Sequence, residues 1–295
     1  MISALHRLKA FLSLLVFLVP WIAAPRAVAQ DLPYFVTYSH YMEEPGDLEV
    51  NFRGVTGAPP GANRFYGGFL EFEYGATAWW ATSLYLDGQT TENDSTIFTG
   101  FRWENRVRPL MREYWINPVL YAEYENVSAD KVIREVVGHD GAPDFSDPNA
   151  LARPEIEREI ELKLILSSTF KGWNVSENFL AVKNLVESEP WEYGYAVAVS
   201  RPLKLKASAR KCTFCGEKFA AGVEMYGGLG DHDDFGLDNT SHYVGPAISW
   251  RSPDGTVFSF SPQFGVNDHS VPRLYRFGVT HELSLASLFH RGGAR

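Results

Sequence analysis

The sequence has little cysteine, 2 residues in 295, so no disulfide framework can substitute for a core. It has few basic residues for its acid, 27 Lys and Arg against 36 Asp and Glu, and a formal net charge of −9. That imbalance argues against nucleic acid as a partner, because binding a phosphate backbone needs clustered positive charge. Past the first 24 residues no apolar run is long enough for a membrane-spanning helix, so any span across a bilayer must be built from strands. Helical periodicity is also nearly missing.

What the sequence does have begins with an export signal. Arg7 and Lys9 precede an apolar run from Phe11 to Ala24, and Ala27-Val28-Ala29 stands before Gln30. Basic start, apolar middle and small residues at the cut are the three parts of a secretory signal peptide, predicted to span 1–29 and to be cleaved near Ala29. Its removal takes away Arg7, Lys9 and Arg26 and leaves the mature chain more acidic.

The mature chain is rich in aromatics, with 20 Phe, 14 Tyr and 8 Trp, and in glycine, with 25 residues, a mixture that suits strands and turns. From Leu48 onward the dominant period is two, in segments of about ten residues, the length a tilted strand needs to cross a bilayer. Leu48, Val50 and Phe52 alternate with Glu49, Asn51 and Arg53, and Leu70, Phe72 and Tyr74 with Glu71 and Glu73. Between Thr96 and Arg108, Ile97, Thr99, Phe101 and Trp103 share one face, and Gly100, Arg102, Glu104, Arg106 and Arg108 the other. Leu120, Ala122 and Tyr124 oppose Glu123 and Glu125, Ile160, Leu162 and Leu164 oppose Glu159, Glu161 and Lys163, and Tyr275 and Phe277 oppose Arg276. Charge on one face and grease on the other mean two different solvents. Pro246 and Pro262 fall inside predicted strands, where proline cannot donate to the ladder.

The pattern predicts an all-β chain of about 12 strands between Asp47 and Ser284, closed into an antiparallel transmembrane barrel. Residues 30–46 are assigned to an N-terminal periplasmic segment, 47–284 to the barrel and 285–295 to a C-terminal tail. Short turns and long loops are expected to alternate between the two rims. Trp79, Trp80, Trp103, Trp115 and Trp173 are expected toward the periplasmic one, since aromatic rings prefer the membrane interface. By this architecture the chain resembles the Gram-negative outer-membrane β-barrel proteins, of a small porin-like kind, over nearly all of its mature length. The resemblance implies outer-membrane lipids, lipopolysaccharide, small solutes and the barrel-assembly machinery as partners, with no cofactor and no nucleic acid.

The inward charges are the candidate functional set: Glu71, Glu73, Arg102, Glu104, Arg106, Arg108, Glu123, Glu125, Glu159, Glu161 and Arg276. They could line a water-filled pore that selects solutes by charge, or pair with one another and fill the lumen, since twelve strands lie between sizes that are filled and sizes that are open. Cys212 and Cys215 form a CxxC beside Lys204, Lys206, Arg210 and Lys211. Exported, without a thioredoxin-like setting and without the His that haem attachment needs, it reads as a local disulfide. Asp231, Asp233 and Asp234 crowd a loop that could attract a hard divalent cation but does not follow calcium-loop spacing, so it reads better as a solvated acidic loop. Ser241 with His242, and Ser270 with His269, are the candidate nucleophile and base pairs. Strand neighbours point opposite ways, so no catalysis is expected from them. Three functions follow in order: a passive channel for small solutes, a non-conducting structural or surface-binding barrel, and an outer-membrane lipid-modifying enzyme.

Overall fold

The computed structural model describes residues 32–128, 156–208 and 212–285. The segment 1–29 expected to be a signal peptide, the long loop 129–155 and the tail beyond 285 lie outside the described residues.

Twelve antiparallel strands close into one barrel: β1 (Asp47–Gly57), β2 (Phe65–Thr77), β3 (Trp80–Thr91), β4 (Thr96–Val107), β5 (Asn117–Ser128), β6 (Ile156–Phe170), β7 (Trp173–Asn184), β8 (Glu192–Pro202), β9 (Phe219–Asp231), β10 (His242–Arg251), β11 (Val257–Gly265) and β12 (Arg273–Ser284). Each strand pairs with its sequence neighbours, and β1 pairs with β12 from Asp47 opposite Ser284 to Gly57 opposite Leu274. The sheet therefore has no free edge, and its backbone polar groups are satisfied without water.

The outward face is apolar and exposed, with Leu84, Leu120, Leu162, Leu164, Phe179 and Phe277 all open to the surroundings, while the inward face carries the charges. The parity switches once in β4. Ile97 is 3% exposed and Phe98 65%, so Ile97 and Thr99 point inward, contrary to their expected grouping with Phe101 and Trp103. A β-bulge is the cause: Asp87 pairs with Gly100 and Gly88 with Phe98, which skips Thr99. A side chain at Gly100 would collide with the carbonyl of Asn126.

The rim with the start of β1 and the end of β12 is the lower one. Its turns are tight at 78–79, 171–172 and 252–256, and the 171–172 pair has positive φ at both Lys171 and Gly172, as a two-residue hairpin turn of matched twist requires. One lower connection, 203–218, departs from the expected short-turn pattern. Trp79, Trp103 and Trp173 stand exposed toward this rim, and Trp250 joins them through a stack with Phe258 at 5.5 Å.

Pro246 and Pro262 remain in strands but interrupt the ladder. The β10–β11 register runs from Val244–Phe264 to Ile248–Phe260 with no pairs between. The Ser261 hydroxyl donates to the Pro246 carbonyl at 2.8 Å, a side chain supplying what the missing amide cannot.

An arginine at Leu162, on the outward face in the middle of β6, should lower stability in bilayers by about 2–4 kcal/mol, as charge at membrane mid-depth does. Denaturant unfolding from lipid vesicles measures it, and an unchanged midpoint would mean that this face does not meet lipid.

Candidate functional site

The inner wall is unequal around the ring. Strands β2 to β6 carry long charged side chains, whereas β8 to β10 present Ala196, Ala198, Ala220, Gly222 and Ala247 among larger inward residues such as Glu224, Tyr226 and Tyr243. Residues 32–43 run inside the barrel against this part of the wall, before the rim turn at Glu44 and Pro45 that leads into β1. The sequence reading placed them in the periplasm, ahead of the barrel; in the structure Tyr34, Phe35, Thr37, Ser39 and His40 are all buried.

Polar contacts fix this inner segment on both sides. On β9, the Glu224 carboxylate accepts the backbone amides of Phe35 (3.2 Å), Val36 (2.8 Å) and Thr37 (2.7 Å). Three successive amides converging on one anion form a built cradle in reverse, with the anion supplied by the wall. On β1, Arg53 donates to the carbonyl of Tyr34 at 2.8 Å. On β7, Asn178 accepts the Tyr38 amide at 2.6 Å and donates to the Tyr38 carbonyl at 2.9 Å, as a neighbouring strand would. The Tyr34 hydroxyl donates to the side chain of Asn174 at 3.0 Å, and His40 Nδ1 lies 2.8 Å from Ser167 Oγ. Val36 packs on an inward apolar cluster that includes Val55, Leu180 and Tyr226.

Tyr38 reaches across to the charged wall. Its hydroxyl donates to Glu104 at 3.1 Å and lies 3.2 Å from the Tyr85 hydroxyl, which donates to Glu71 at 2.7 Å. Glu71 in turn accepts from Asn51 at 3.1 Å. The charges themselves pair: Arg102 meets Asp87 through two bonds of 3.0 Å and Glu123 at 3.3 Å, Arg106 meets Glu73 and Glu104, and Lys163 meets Glu161 at 2.7 Å. Such pairs offset the cost of holding charge away from water without adding much net stability.

Of the eleven lumen candidates, Glu71, Glu73, Arg102, Glu104, Arg106, Glu123, Glu125, Glu159, Glu161 and Arg276 stand on the inner wall. Arg108 does not. It lies past the end of β4 at the lower rim, donating to the Ala78 carbonyl at 3.2 Å, because the strand stops at Val107. Glu224, Asp87, Tyr85 and Asn178 were missed in the sequence, although Glu224 is legible as a lone inward carboxylate in a strand of small residues. Between Tyr38 and the charged wall a cavity of about 100 Å³ remains, lined by Tyr121, Glu123, Glu125, Glu159 and Glu161 among others.

The remaining candidates are elsewhere. Cys212 and Cys215 are joined by a disulfide at the lower rim, Arg210 and Lys211 lie outside the described residues, and Phe214 stacks on Trp250 at 5.3 Å. In the same loop, hydrogen bonds from its own amide and from Ser208 hold the Glu217 carboxyl below its ordinary range. Asp231 accepts the amides of Asp233 and Asp234 at 2.6 and 2.7 Å and so caps its own loop, and among the described residues no group of three His, Cys, Asp or Glu is placed to hold a metal ion. The His242 ring contacts Tyr195, Thr240 and the Leu237 carbonyl, and Ser270 Oγ donates to the His242 carbonyl at 2.9 Å.

No protein-family model and no curated protein matches this chain. Solved structures do. The COG4313 outer membrane channel from Pseudomonas putida F1 is similar at a TM-score of 0.52 and 8% identity, over 82% of this chain and 97% of that one. The KdgM porin, solved in complex with disordered oligogalacturonate, is similar at a TM-score of 0.50 and 8% identity, over 79% of this chain and 98% of that one. The fold is that of the bacterial outer-membrane barrels.

Replacing Glu224 by Gln should free the inner segment, since charge-assisted bonds of this kind contribute about 1.5–3 kcal/mol and one acceptor oxygen is lost. Amide exchange at Phe35 to Thr37 should quicken by about tenfold or more. Exchange no faster than in the parent would show that the cradle is not what holds the segment.

Proposed function

We propose that the protein is an exported outer-membrane channel that passes small solutes passively through its charged lumen, narrowed by its own residues 32–43. The observation that carries this reading is the unequal wall. A barrel meant only to be solid would fill its interior from the strands, whereas the small inward residues of β8 to β10 leave room for a separable segment held by polar contacts. A charge-lined cavity persists beside that segment. The two solved structures described above are named as a channel and a porin, which supports the same reading. On it, the lower rim faces the periplasm, the leader is cut near Ala29, and lipid, lipopolysaccharide and the barrel-assembly machinery are the partners during and after insertion.

One observation favours a second reading, a non-conducting structural barrel: the inner segment is bonded to opposite walls and Tyr38 bridges the lumen.

Single-channel recording in planar bilayers separates the two. The full chain should give small, reproducible unitary steps, and Glu224→Gln should give steps that are larger or more frequent. Silence from folded parent and variant alike, with folding checked by heat-modifiable gel mobility, would end the channel reading and leave the structural one.

A further inference from the structure

We propose that the cavity between the inner segment and strands β4 to β6 is a seat for a small organic cation carrying primary amines, an inference that deepens the channel reading by naming a solute class. The register of the wall supplies the first argument. Glu104 stands opposite Glu123, Glu123 opposite Glu161, and Glu125 opposite Glu159, so like charges meet directly across three adjacent strands. Cross-strand pairs of like charge are destabilising unless something compensates them. Arg106 answers Glu104 and Lys163 answers Glu161, while Arg102, which answers Glu123, is shared, with two bonds to Asp87 and a longer one to Glu123 Oε1.

The second argument is an atom. Glu123 is 3% exposed and lines the cavity, and its Oε2 has no hydrogen-bond partner. A buried carboxylate oxygen without a donor is costly and is relieved by a cation or a proton.

The chain itself shows which cation the surroundings accept. The Lys163 ammonium sits 2.7 Å from Glu161, 4.1 Å from the ring centre of Tyr121 and 4.4 Å from that of Tyr38. One carboxylate and two tyrosine faces form a seat for an ammonium group, here filled by a tethered one. A metal ion is the poorer match, because among the described residues no three ligating groups converge. An extended amine can instead address carboxylates on separate strands while its methylenes lie against Phe69, Leu180 and Val182, which also line the cavity. A volume of about 100 Å³ restricts the ligand to a few heavy atoms.

The test is calorimetric titration of the detergent-folded full chain with putrescine, with succinate as the anionic counterpart. Putrescine should bind saturably and succinate should not. Glu123→Gln should weaken putrescine by about tenfold or more. Lys163→Met, which vacates the ammonium seat on Glu161 and the two tyrosines, should strengthen it several-fold, a gain that damaged folding would not produce. No putrescine heat from either the parent or Lys163→Met, or binding indifferent to Glu123→Gln, would overturn the seat, and Glu123 would then hold only a proton. Bilayer recording in a potassium chloride gradient keeps the two proposals apart. Putrescine binding by a silent barrel removes the channel and leaves the seat, whereas current without cation preference and without putrescine binding removes the seat and leaves the channel.

Discussion

Everything in this molecule follows from pairing β1 with β12. Without that pairing the sheet would expose two rows of backbone donors and acceptors, which hydrocarbon cannot satisfy. With it, inside and outside become separate environments, and each strand must present one kind of side chain to each. The alternation of Leu162 and Leu164 with Glu161 and Lys163 is this demand written into sequence.

That demand is what makes the strands and their faces legible in the sequence. Strand number, face assignment and ten of the eleven inward charges are consequences of period two, which survives in the sequence as a simple repeat. Where the repeat is broken by backbone geometry, the reading failed. Ile97 and Thr99 were assigned outward because nothing local to them announces a bulge; the sign of it, Gly100, has its meaning only beside the Asn126 carbonyl on the next strand. Arg108 continues the period by one step, but the strand ends before it.

The larger omission was the inner segment, and its physical cause is different. Residues 32–46 form no regular element and carry no period, so a strand-by-strand reading had nothing to assign them to. Their place is determined by partners far away in sequence, Glu224 on β9 and Asn178 on β7. In hindsight the signal was compositional. Tyr34, Phe35, Tyr38 and Tyr41 give a short polar stretch more aromatic surface than a linker in water would keep. Small inward residues on β8 to β10 and surplus aromatic surface in residues 34–41 are a clue that the two belong together.

The covalent attachment of the inner segment to β1 restricts the order in which the molecule can be assembled. Residue 46 is followed directly by β1, which closes the ring on β12, so the amide-bearing stretch and one side of that seam belong to the same end of the polypeptide. Once the ring is sealed, a stretch bonded to β1, β7 and β9 together can reach its place only lengthwise, through one end of the barrel. Wrapping the sheet around it is the shorter route. In that case Glu224 and Asn178 act as a template on which the curved, unfinished sheet gathers its own beginning before the two ends meet.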